Sequence, residues 1–204
     1  ELKRQNWEAI DADNNRYPIQ SDDFSFLLGE RKVNFDAVFN AIHGHPGEDG
    51  PLAGYFDMLG LPYTSSGQFA SALTFNKAEC NIILKRYGFS VPESIFLHAE
   101  TGISESEIID QLGLPCFVKP CRSGSSLGVS KVKTVAELGP AIEKAKSIDH
   151  KVLIEAMVPG LELACGVSDH SGEIGALAVT HIKPTGEFFD YESKYSGGSE
   201  EITP

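Results

Sequence analysis

The chain has 204 residues, 41% apolar and 23% charged, which is ordinary for a globular protein and allows one large domain or two to three small ones. Its formal net charge is -12, which excludes a broad nucleic-acid-binding face, because nothing offsets phosphate repulsion over a wide surface. Any phosphate it holds must be gripped by local basic residues and backbone N–H groups.

Residues 1–32 are polar with scattered apolar positions and carry no clear element. Phe35 to Ile42 reads as a strand, followed by H-G-H-P-G-E-D-G (His43 to Gly50). Gly50-Pro51 marks a helix start with proline at the first helical position, and the helix runs through Leu59 to stop at Gly60. Strand, glycine-rich loop and helix make half of a Rossmann-like α/β unit. A second helix is expected from about Phe75 to Tyr87, ended by Gly88.

From residue 94 onward the pattern becomes strand, helix, strand, loop, strand, helix, strand. Ser94 to Leu97 is a short strand. Ser104 and Glu107 form a capping box for a helix ending near Gly113. Cys116 to Lys119 and Gly128 to Lys133 are strands. Thr134 and Glu137 form a second capping box, and Val135, Leu138, Ile142 and Ala145 keep one helical face apolar. Val152 to Glu155 is a strand, and Leu161 to Ser168 and Ile174 to Ile182 form a hairpin turning at Ser171-Gly172. This order implies an α+β domain with a strand–loop–strand rather than a doubly wound sheet.

The four cysteines, Cys80, Cys116, Cys121 and Cys165, show no C-x-x-C spacing, which argues against zinc. With no signal peptide in view, reduced thiols and a cytoplasmic location are the expectation. No apolar run approaches the ~18–20 residues that span a membrane. The start at Glu1 and the end at Pro204 lead to the expectation of further residues on both sides.

The most informative segment is Val118 to Val129, V-K-P-C-R-S-G-S-S-L-G-V. Its glycines permit close backbone approach to a ligand, and its serines add hydroxyl donors. Lys119 adds charge where the preceding strand ends. The segment is neither a Walker A loop nor a dinucleotide fingerprint. Taken alone it reads equally as a Ser/Gly-rich hairpin turn.

Taken together, H-G-H-P-G-E-D-G, L-P-Y-T-S-S-G (Leu61 to Gly67), A-S-A-L-T-F-N-K (Ala70 to Lys77), the block from Leu114 to Val132, V-L-I-E (Val152 to Glu155), Glu162 and F-F-D-Y-E-S-K-Y (Phe188 to Tyr195) resemble the D-alanine–D-alanine ligase family, which has the ATP-grasp fold. The resemblance implies an ATP-grasp fold preceded by part of a Rossmann-like domain, α/β and α+β in class. It divides the chain into 1–73, the remainder of the N-terminal domain, 74–155, the central subdomain with the phosphate loop, and 156–204, the start of the C-terminal subdomain.

It further implies that Lys77 and Lys119 contact ATP phosphates, with Ser125 and Ser126 in the loop beside them. Glu155 would accept from the adenine amino group, with the backbone of Met157 and Val158 completing that contact, and Glu162 would bind the ribose. Lys194 and Tyr195 would lie on a closing loop, Lys194 meeting the transferred phosphate and Tyr195 hydrogen-bonding Ser125. His43 would sit near the first D-alanine. ATP, with magnesium or manganese, is the implied cofactor pair, and D-alanine the implied substrate. The metal ligands and an oxyanion-binding arginine are expected beyond residue 204, and the glutamate for the first D-alanine before residue 1. A homodimer is implied, and the Lys194-Tyr195 pair favours D-alanine over D-lactate as second substrate. The competing readings are another ATP-grasp ligase or a nucleotide-binding module without activity.

Overall fold

The computed structural model describes residues 7–98, 102–170, 172–184 and 199–204. Its contacts divide the chain into two compact units, Glu1–Thr74 and Phe75–Pro204.

The first unit carries two small antiparallel hairpins where the sequence offered no clear element. They are β1 (Glu8–Ile10) with β2 (Arg16–Pro18), and β3 (Phe26–Leu28) with β4 (Arg31–Val33). Their strands are three residues long, too short for period-2 alternation to be visible. What holds them is aromatic packing: Phe24 meets Trp7, Phe35, Tyr55 and Phe56 with ring centroids 5.1–6.0 Å apart. Helix α1 (Pro51–Leu59) starts and stops where expected, between Gly50 and Gly60, both in left-handed conformation. The expected strand Phe35–Ile42 does not form. It shrinks to one parallel bridge, Val38 to Tyr63, with α1 as the crossover between them. Among the described residues that bridge is the segment's one ladder contact, and Phe39 is 81% exposed. Among the described residues no strand ladder flanks this run to bury it as a strand.

Helix α2 (Gln68–Phe75) follows, then α3 (Lys77–Arg86). The single helix expected over residues 75–87 thus begins at Lys77, because Asn76 leaves helical geometry to cap it and bridges to Arg122. Helix α2 was not anticipated.

The second unit is organised by a four-stranded antiparallel sheet in the order β5-β8-β6-β7. The strands are β5 (Ser94–Leu97), β6 (Cys116–Pro120), β7 (Ser130–Val132) and β8 (Val152–Ala156); α4 (Glu105–Leu112) joins β5 to β6, and α5 (Val135–Lys146) joins β7 to β8. Ser104 and Glu107 cap α4 reciprocally, and the Glu107 carboxylate accepts from the Ser104 N–H at 2.8 Å. At α5 the Glu137 carboxylate accepts from the N–H of Lys133 at 2.7 Å. One face of the sheet packs Cys116, Val118, Val132, Val152 and Ile154 against Ile108 of α4 and Leu138, Ala141, Ile142 and Ala145 of α5. Val135, expected on that apolar face, is half exposed at the first turn of α5, and Ala141 fills the stripe instead. The opposite face holds a smaller cluster, Leu153 and Cys121 against Ala78 of α3.

A long hairpin, β9 (Glu162–His170) with β10 (Glu173–Pro184), is joined by β11 (Ser199–Ile202). Leu163, Val167, Leu177 and Val179 on it are exposed. Among the described residues no helix is long and apolar enough to cross a membrane.

The main core sits at Ile154, fully buried in the middle of β8. Ile154→Ala should cost about 2–5 kcal/mol through lost burial and the cavity left behind, read as a lower denaturant midpoint with unchanged slope.

Candidate functional site

Strand alternation places the chemistry. In β6, Cys116, Val118 and Pro120 are buried on the face under α4 and α5, so Phe117, Lys119 and then Cys121 point to the other side. In β8 the same rule sends Val152 and Ile154 inward and Leu153 and Glu155 to the α3 side. The register pairs Phe117 with Glu155 and Lys119 with Leu153. Lys119 and Glu155 are therefore diagonal neighbours on one face.

Glu155 is 6% exposed. Its Oε2 is paired with the Lys119 ammonium, and its Oε1 accepts from Asn81 Nδ2 of α3 at 2.7 Å. Both oxygens thus face donors, as a buried carboxylate requires. Lys119 also lies over the Phe117 ring, 5.6 Å from its centroid.

Helix α3 supplies three side chains to this face. Lys77 opens the helix, its Nζ donating to the Ser123 carbonyl at 2.6 Å and approaching Ser123 Oγ at 3.4 Å. Ala78 packs on Cys121 and Leu153, and Asn81 reaches Glu155. Lys77 and Asn81 are four residues apart, one helical turn, on one side of α3. The described hydrogen bonds of the Lys77 ammonium go to neutral oxygens. Burial, and then the like charge of Lys119, hold its pKa below the ordinary 10.5. Beneath it the Cys121 thiol is pushed up to about 11, chiefly by burial and then by Asp149, so it is a packing group and not a nucleophile.

The loop between β6 and β7 is anchored and tightly turned. Asp149 accepts from the Arg122 N–H at 2.8 Å, and Cys121 N–H donates to Lys151 O at 2.9 Å. Ser125 and Ser126 both have positive φ, 49° and 56°. Leu127 N–H returns to Gly124 O at 3.0 Å. Two central residues with φ > 0 and this closing bond make a type I′ turn. A second turn closes with Val129 N–H on Ser126 O at 3.1 Å. It places Gly128 at φ 75°, where an added Cβ would lie 3.0 Å from Ile148 Cγ1 and 3.1 Å from Pro120 Cγ.

The structure thus gathers Lys77, Lys119, Glu155 and the loop of Ser125 and Ser126 on one side of the sheet. Met157 and Val158 follow directly on β8, Met157 N–H lying 3.3 Å from Pro115 O and Val158 being exposed. Glu162 is exposed at the start of β9, opposite Ile182. Lys194 and Tyr195 lie outside the described residues. His43 belongs to the first unit, where its Nδ1 is 3.4 Å from Glu48 Oε1, while Glu48 Oε2 accepts from the Gly44 N–H at 2.6 Å. His45 pairs with Asp49 instead, at 2.8 Å. Among the described residues no group of three or more His, Cys, Asp or Glu side chains is placed to hold a metal. Sequence reasoning missed Asn81 and Asp149. Only the first left a signal, its one-turn spacing from Lys77.

Family models match at two places: the D-ala D-ala ligase N-terminus over residues 2–66 and the D-ala D-ala ligase C-terminus over residues 83–203. A D-alanine–D-alanine ligase of Flavobacterium johnsoniae is 47% identical over 201 residues, covering 98% of this chain and 62% of that protein. One from Phocaeicola vulgatus is 46% identical over 204 residues, covering 100% of this chain and 63% of that protein. The chain therefore spans a little under two thirds of the length of these curated relatives. Among solved structures, the D-alanyl-alanine synthetase A of Vibrio cholerae superposes with a TM-score of 0.77 at 28% identity, covering 96% of this chain and 62% of that one. A D-Ala:D-Ser ligase of Enterococcus faecalis gives a TM-score of 0.78 at 33% identity, covering 95% and 57%.

The Lys77 environment gives a pH test. Its folded pKa lies below 10.5. Between the two values the unfolded chain binds more protons, so stability climbs with pH. Lys77→Met removes that climb. Denaturant melts over a pH series rising to 10.5 should show the variant's stability advantage shrinking as pH rises. An advantage independent of pH would contradict a buried charge at Lys77.

Proposed function

This chain belongs to the D-alanine–D-alanine ligase family, and from that premise we propose that it takes part in the ATP-dependent joining of two D-alanines, through an acyl phosphate, for peptidoglycan precursors of the cell wall. Its fold is the ATP-grasp fold of that family, preceded by part of a Rossmann-like domain. We divide it functionally into 1–73, 74–155 and 156–204.

The observation that carries this reading is the pair of ammoniums beside a strained serine turn, with a buried carboxylate behind them. Joining two amino acids in water is uphill, so the first carboxylate must be activated. In the proposed reaction the carboxylate of the first D-alanine attacks the γ-phosphoryl of ATP. The amine of the second D-alanine then attacks the acyl carbon, and phosphate leaves. Catalysis of such a transfer rests on positioning and charge neutralisation. Lys77 and Lys119 supply positive charge at the phosphates, and the turn around Ser125 and Ser126 supplies donors. Glu155, an acceptor fixed in place, suits the adenine amino group, with the Met157 and Val158 backbone beside it and Glu162 at the ribose. His43, 3.4 Å from Glu48, is assigned to the first D-alanine.

Closure of Lys194 and Tyr195 over the site would keep water from the acyl phosphate. Magnesium or manganese would neutralise phosphate charge during transfer; among the described residues no group of three or more His, Cys, Asp or Glu side chains is placed to hold it. The homodimer follows from the resemblance, and the cytoplasmic location from the cysteine pattern, with no signal peptide in view in the sequence. The Enterococcus faecalis neighbour, a D-Ala:D-Ser ligase, keeps D-serine open as a second substrate beside D-lactate.

Two measurements test this. Lys119→Ala removes one charge-assisted contact, worth about 1.5–3 kcal/mol, and should weaken ATP binding about 10- to 100-fold in a variant confirmed folded by circular dichroism. Unchanged affinity would refute the role of Lys119. Phosphate release from the full-length ligase should depend on D-alanine, with D-serine, D-lactate and L-alanine as comparisons; ATP hydrolysis that ignores D-alanine would sink the ligase reading.

A further inference from the structure

We infer that Asn81 is a positioning residue for purine selectivity, holding the Glu155 carboxylate in place as an acceptor when Lys119 turns to phosphate. The inference rests on the proposed adenine-reading role of Glu155.

Glu155 has two described partners, and they differ in kind. Lys119 is a flexible ammonium, 27% exposed, and is assigned to the triphosphate as well. It cannot serve phosphate and hold the carboxylate equally well. Asn81, among the described residues, directs its side-chain hydrogen bond to Glu155. Its amide comes from the middle of α3, a rigid element, and donates to Oε1 at 2.7 Å. A carboxylate facing it fixes the amide orientation, since only the NH2 end can donate.

The geometry also explains why the donor comes from α3. Lys77 lies one turn before Asn81 on the same side of the helix, and Ala78 between them packs on Cys121 and Leu153. One rigid helix thus carries the ammonium assigned to the phosphate end and the amide that fixes the carboxylate assigned to the base end. Any displacement of α3 along its axis would move both together.

The consequence is discrimination between bases. A 6-amino purine donates to a carboxylate. A 6-oxo purine sets an acceptor against it, and a site built this way rejects the wrong base because two acceptors face each other undonated. Rejection works only if the carboxylate cannot swing aside. Without Asn81, Glu155 keeps Lys119 alone and can follow that side chain away from a 6-oxo group.

The test is isothermal titration of the protein with ATP, with ITP, which carries a 6-oxo group, and with inorganic tripolyphosphate, which carries no base. The parent should bind ATP more tightly than ITP. Asn81→Ala should reduce that ratio about tenfold, and Asn81→Leu, close in volume but without a donor, should reduce it similarly. A parent that fails to distinguish ATP from ITP overturns the adenine reading of Glu155 and the proposal with it. A parent that discriminates while both variants keep the full ratio overturns the proposal alone. Loss of folding in both variants, or equal weakening of ATP, ITP and tripolyphosphate, shows a purely structural role and overturns it as well.

Discussion

The second unit is organised around a carboxylate that has been taken out of water. Glu155 lies in the central part of a four-stranded sheet with 6% of its surface exposed. An isolated charge there would cost several kcal/mol, and breaking its pairing would leave that cost uncovered. Lys119 must therefore stand beside it, which requires β6 next to β8 in this register. Asn81 must reach it from above, which requires α3 on this face. A sheet whose two faces were both apolar would need neither. The ion pair is thus weak as a stabilising device.

Two further features of the same face go against local preference. Lysine at the first position of a helix sits at the positive end of the helix dipole, yet Lys77 is there and is partly buried. Serine resists left-handed backbone at roughly 1–3 kcal/mol per residue, yet Ser125 and Ser126 both adopt it. Each departure is modest, but all fall within one loop, one helix end and one strand end. Sequences depart from local rules where function requires it, and the stability is recovered elsewhere. In this chain it is recovered across the sheet, where α4 and α5 bury a continuous apolar cluster. With a net charge of -12, the protein attracts no anion at long range. The triphosphate proposed above would therefore depend on local cations and turns rather than on the protein's overall field.

Much of this was legible in the sequence, and the failures have a pattern. The boundaries of α1, the cap of α4, the strand β5 and the hairpin β9–β10 follow from proline, glycine, Ser-x-x-Glu and alternation, which are local signals. The hairpins of residues 8–33 were not legible, because three-residue strands carry no period and their support is the non-local meeting of Phe24 with four other rings. The strand expected over 35–42 failed for the opposite reason. Its apolar run was strong, but a strand is defined by its neighbours, and only Tyr63 pairs with Val38 among the described residues. In the site, Lys77, Lys119 and Glu155 came from motifs. Asn81 and Asp149 stand in no motif; beyond Asn81's one-turn spacing from Lys77, their roles became visible when folding brought α3 to β8 and the end of α5's connection to the loop.

The two units solve the problem of fixing a side chain by different means. In the second unit, sheet alternation and a helix face fix Lys119 and Glu155, so precision comes from regular structure. In the first, the path around His43 is set by a loop acting on itself. Glu48 reaches back to the Gly44 N–H and to His43. Gly47 admits this fold because a Cβ there would meet Ile42 O at 2.5 Å, and Gly50 because one would meet Gln68 O at 2.7 Å. Proline at the start of α1 then locks the exit. Gly47 and Gly50 of H-G-H-P-G-E-D-G are thus steric requirements of one tight path, Gly44 supplies left-handed backbone at φ 70°, and the acidic residues are internal hydrogen-bond partners. The backbone path is held by these contacts without a strand beneath it, while the His43 side chain itself is exposed.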